Sequence, residues 1–137
     1  MPLTIFIVTS CSVITVPAPN VSMYVSGPLY TGNRVTITCN IHVNASVLSE
    51  ITVVAVWSRG TTQLTNNSRT NISRAVAVGG SSLFQSNVTF YPTESSDSDV
   101  YTCDVTLISI ASGNRLSTVS STITIAVEGE QSVKSFL

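Results

Sequence analysis

Asp97-Ser98-Asp99-Val100-Tyr101-Thr102-Cys103 constrains this chain more than any other stretch of it. Upstream lie a second cysteine, Cys39, and the only tryptophan, Trp57. Around both cysteines the apolar residues recur at every second position: Val35, Ile37, Cys39 and Ile41, then Tyr101, Cys103, Val105 and Leu107. That period marks strands with one buried face. Ser and Thr number 40, and with Val and Ile they make a composition that fits the pleated surface. Glu, Lys and Leu runs at helical spacing are absent. The chain reads as all-β.

The ordered set Cys39, Trp57, Asp97-x-x-x-Tyr101-x-Cys103, spread over alternating strands, resembles the immunoglobulin fold. The resemblance covers residues from about 20 to 127. It implies a two-sheet antiparallel Greek-key immunoglobulin-like sandwich of V-set or I-set type. It further implies a Cys39–Cys103 disulfide across the core, Trp57 packed beside it, and the Tyr101 hydroxyl bonded back near Asp97. In the family the matching aspartate also pairs with an arginine near the start of strand D. Arg74 fits by distance from Cys103 and Arg69 by the local pattern Arg-x-x-Ile-Ser; Arg74 is preferred. Asp99 stands where the family often has glycine or alanine, which bears on subclass more than on fold.

Turn and breaker residues divide the rest. Pro17-Ala18-Pro19 marks a boundary, and Pro28 interrupts a first strand over Val21–Val25 in the manner of an edge strand that switches sheets. Residues 42–50 read as a long polar loop, 61–65 as a short C′ strand, 66–72 as irregular, 75–78 as strand D and 84–90 as strand E. The domain is expected over 20–127, with a tail or linker over 128–137. Residues 1–19 have two readings: a signal peptide built on Leu3–Val8, or the tail of a preceding domain plus linker. The odd cysteine, Cys11, falls within them.

Five Asn-x-Ser/Thr sequons, at Asn20, Asn44, Asn66, Asn71 and Asn87, together with the paired-cysteine pattern, favour a glycoprotein outside the cell. Attachment to a membrane would come only through segments not present here. Only 9% of residues are charged, so the clustered Lys and Arg that nucleic acid demands are missing. His42 is the only histidine. It reads as a solvated strand-end residue, not as the base of a hydrolytic triad. Glu94, Asp97 and Asp99 fall short of a calcium cage. No metal, cofactor or enzymatic activity is expected.

Function is then a matter of surfaces. The sequons crowd the expected A-B-E-D sheet and leave the C-F-G sheet bare. Outward positions on that bare sheet are Val54, Val56, Asp104, Thr106 and Ile108, with Arg59 and Arg115 at the ends. A mixed patch with apolar members suits a protein partner, homophilic or heterophilic. The expected function is an extracellular binding module from an adhesion or receptor ectodomain. The alternatives are a free secreted defence or decoy protein, and a spacer in a tandem immunoglobulin array.

Overall fold

The computed structural model describes residues 16–129. The expectations for Cys11, the Leu3–Val8 stretch and the tail from 130 onward lie outside those residues. Eight strands form two antiparallel sheets: β1 (Asn20–Ser26), β2 (Val35–His42), β3 (Ile51–Arg59), β4 (Thr62–Gln63), β5 (Thr70–Ala77), β6 (Leu83–Phe90), β7 (Asp99–Ser109) and β8 (Arg115–Ile125). The first sheet has the order β1-β2-β6-β5 and the second β4-β3-β7-β8. In immunoglobulin lettering these are A-B-E-D and C′-C-F-G, with C′ cut to two residues and no C″ among the described residues.

Alternation sets which side chains meet. Ile37, Cys39 and Ile41 on β2 and Trp57, Cys103 and Val105 on the second sheet all point into the interior, and all are buried. Cys39 and Cys103 are joined, with Cα atoms 6.5 Å apart and a sequence separation of 64. A cross-link over that span removes unfolded-state entropy worth roughly 3–5 kcal/mol. The Trp57 indole lies in the same core, and its Nε1–H donates to Ser86 Oγ at 2.8 Å. The Ser86 hydroxyl in turn donates to the Ser73 carbonyl oxygen at 2.6 Å. A buried donor is thereby satisfied in a layer that is otherwise apolar.

Pro28 does what an edge proline implies. After β1, the chain crosses between sheets, and Leu29–Thr31 run parallel beside Glu128 through Thr31 N–Glu128 O and Glu128 N–Leu29 O bonds of 2.9 Å. Gly27 makes the crossing possible, since its φ is +99° and a Cβ there would lie 2.4 Å from the Arg34 carbonyl oxygen.

Two expectations about local structure are corrected. The 42–50 segment is not an open loop but a 3-10 helix, Ala45–Glu50, capped by Asn44, whose Oδ1 accepts from Ser46 N at 2.9 Å. It buries Val43 and Val47 over the end of the core. Strand D starts at Thr70 and not at Ala75, because Thr70 and Ile72 pair with Phe90 and Val88. A bulge between Ser73 and Val76 then shifts the register. Beside it the facing edges of β3 and β5 leave a gap of about 430 Å³, lined by residues such as Val53, Val54, Ala75, Val76 and Phe84.

Candidate protein-binding face

On β3 the odd positions point inward, as Trp57 requires, so Thr52, Val54, Val56 and Ser58 point out. Their cross-strand partners on β7 are Ile108, Thr106, Asp104 and Thr102. Those in turn face Arg115, Thr118, Ser120 and Thr122 on β8. The β7–β8 register slips once, between Leu107 and Ile108; Leu116 packs against the core and Arg115 stands opposite Ile108. The outer face of the second sheet therefore gathers Val54, Val56, Asp104, Thr106, Ile108 and Arg115.

Its charge is low. The Asp104 carboxylate accepts a short hydrogen bond from the Ser120 hydroxyl, and Thr106 and Thr118 share a hydroxyl contact at 3.4 Å. Val100 belongs to the same face, 42% exposed and paired with Thr124. Sequence reasoning missed it, although the alternation through Thr102 and Asp104 reaches it in two more steps. At the β7–β8 tip Ile110 is 61% exposed.

Arg59 does not belong to this face. It shares the inward parity of Trp57, and at the end of the strand its guanidinium reaches Asp97 at 3.2 Å. The expected partner of Asp97 is also corrected. Arg69 holds both carboxylate oxygens, Nη1 to Oδ2 at 3.0 Å and Nη2 to Oδ1 at 3.2 Å. Arg74 lies on the exposed stretch of β5 beside the bulge. The reason is the early start of β5: it carries Arg69 to the base of the sandwich, where Tyr91 N bonds the Arg69 carbonyl at 3.0 Å.

Asp97 is 2% exposed and also accepts from Glu94 N at 2.8 Å. Burial pushes its carboxyl up, but the Arg69 hydrogen bond, the Glu94 N–H and the charges of Arg69 and Arg59 outweigh that and hold it below the usual carboxylate range. The Tyr101 hydroxyl donates to the Asp97 carbonyl, closing the corner that the resemblance implies. Asp99 is exposed and accepts from its neighbour Val100 N at 2.7 Å. His42 is exposed at the end of β2, opposite Asn20 and Leu83. Among the described residues no three His, Cys, Asp or Glu side chains form a metal-holding group.

The five sequon asparagines are unevenly placed. Asn20, Asn71 and Asn87 share the outer face of the first sheet, at one edge, the other edge and the centre. Asn87 is half-buried there and accepts from Thr38 Oγ1 at 2.8 Å. Asn44 caps the 3-10 helix, and Asn66 accepts from Ile72 N at 2.6 Å. None stands on a strand of the second sheet.

Among solved structures the chain is similar to murine CRIg, with 16% identity and a TM-score of 0.51, over 84% of this chain and 100% of that one. No protein-family model matches the chain, and no curated protein matches it. At that identity the likeness speaks to architecture alone. It agrees with the architecture that the disulfide, the buried indole and the tyrosine corner already require, and this chain has the immunoglobulin-like fold.

Proposed function

We propose that this chain is an extracellular protein-recognition module that docks its partner on the outer face of β3, β7 and β8, as an adhesion or receptor ectodomain does. One observation carries the reading: the sequon asparagines that stand on strands all lie on the outer face of one sheet and none on the other. The first bears three sequon asparagines and a ladder of polar pairs, including Thr36–Thr89, Thr38–Asn87 and Asn40–Gln85. The second bears no sequon, little charge, and Val54, Val56, Val100 and Ile108 among hydroxyl side chains. Interface cores are depleted in charge in the same way.

Size refines the proposal. Three strands of this length offer a face of roughly 30 by 15 Å, or about 450 Å². A standard interface buries about 800 Å² per partner. Docking therefore also recruits the β7–β8 tip around Ile110.

The test is a multivalent form of the chain, assayed for self-association and for binding to cells. Val56→Glu with Ile108→Glu abolishes either activity while leaving the thermal midpoint within a few degrees. Ser26→Glu, on the opposite face and outside every sequon, leaves both unchanged. Full binding by the double variant overturns the assignment of this face.

A further inference from the structure

The lower end of the first sheet holds a second cluster that the binding reading leaves unused. Asn71 pairs with Thr89, and the ladder continues to Arg69 and Tyr91. Tyr91 is thus the diagonal cross-strand neighbour of Asn71 on the same outer face, a separation that an aromatic side chain spans. Tyr91 is 51% exposed, and the Arg34 guanidinium lies 4.4 Å from its ring centroid. Asn71, Thr89, Tyr91 and Arg34 line one cleft of about 240 Å³. That falls below the range for drug-sized ligands and is on the scale of a single sugar ring.

Tyr91 presents exposed aromatic surface on this sheet face, and the cation fixes its ring. Pyranose rings present a C–H face that packs on aromatic surface, and their acetamido and hydroxyl oxygens accept hydrogen bonds from a guanidinium. Asn71 is itself a sequon asparagine and is exposed. We propose that Asn71 is a glycosylation site whose first N-acetylglucosamine folds back onto the Tyr91–Arg34 pair and fills this cleft. The attachment is an ordinary group transfer. Asn71 Nδ2 attacks C1 of the first sugar of a lipid-linked oligosaccharide pyrophosphate. The C1–O bond breaks, the C1–N bond forms, and one amide proton leaves as the lipid pyrophosphate departs. The inference rests on the extracellular reading above, since that donor meets a chain only along the secretory route.

The full chain is produced in secreting cells, and its peptides are mapped after amidase release in heavy-oxygen water. Conversion of Asn71 to labelled aspartate is the expected result. Glycans on other sequons with Asn71 bare overturn the inference and leave the extracellular reading standing; glycans on none overturn both. Packing is read by a thermal double-mutant cycle. Asn71→Gln lowers the midpoint by about 2–5 °C when Tyr91 is present, and by less than about 1 °C in Tyr91→Ala or Tyr91→Leu. Trimming to the first sugar with an endoglycosidase retains the difference. In unglycosylated protein from a bacterial periplasm, Asn71→Gln has no effect. Equal losses in both Tyr91 backgrounds, or the same loss without sugar, refute the packing.

Discussion

Replacing Asp97 with asparagine tests whether the base of the sandwich is held as described. The carboxylate accepts from Arg69 twice, from Arg59 once and from Glu94 N once, at 2.8–3.2 Å. Breaking a fully buried pair costs about 3–5 kcal/mol. Here the arginines keep 29% and 35% of their side-chain surface in water, so they regain solvation when the charge is lost. That discount brings the expected loss to about 2–3 kcal/mol. Urea unfolding at pH 7 reads it as a midpoint lowered by roughly 1–2 M. Arg69→Ala should lose a comparable amount and Arg74→Ala under about 0.5 kcal/mol. The pH dependence has a fixed sign. Asp97 is depressed in the folded state, so its contribution is complete above the unfolded-state value near about 4 and drains away as pH falls through the lower folded value. The wild-type and Asp97→Asn stabilities should converge as the medium becomes more acidic. A loss below about 0.5 kcal/mol for Asp97→Asn, or equal losses for Arg69→Ala and Arg74→Ala, would refute the reasoning.

Two further substitutions probe the core and the strand crossing. Ser86→Ala leaves the indole N–H of Trp57 without its acceptor in a buried layer and should cost about 1–3 kcal/mol, read by chemical denaturation together with a change in tryptophan emission. Gly27→Ala sets a methyl group against the Arg34 carbonyl at a positive φ and should cost more than about 1 kcal/mol; a neutral result in a thermal melt would mean that the chain crosses between sheets by another path.

The strands that carry the core were legible because both faces of the signal agree. From Val35 to Ile41 in β2 and from Tyr101 to Leu107 in β7 the inward residues alternate with polar ones, and a one-residue slip would turn Thr and Asp inward in place of Ile and Val. The corner at Tyr101 and Asp97 was legible through the resemblance. Strand D was not, since it lies at a sheet edge with few buried side chains, and its bulge breaks the period of two. Ile72 and Ala75 both pack toward the core although they are three apart. Counting back from Cys103 points to Arg74, while the local pattern around Arg69 points to the true partner. Arg59 was misplaced for a different reason. Its parity is inward, but at a strand end an inward side chain reaches the base of the sandwich and can keep its charge. The 3-10 helix at Ala45–Glu50 carries too short an apolar pattern to be told from a loop, with Val47 its only buried residue.

With C′ cut to two residues that pair only Ser58 and Arg59, the stretch Ile51–Val56 of β3 has no strand beside it on the flank where β5 ends the other sheet. Unprotected flanks of this sort invite strand-to-strand stacking between molecules. Two features blunt the hazard. The extra residue in β5 spoils the flat hydrogen-bonding template that fibril growth extends. Arg74, which takes no part in the charge cluster at the base, sets a cation at that spot, so that a second copy laid against it meets its own repulsion.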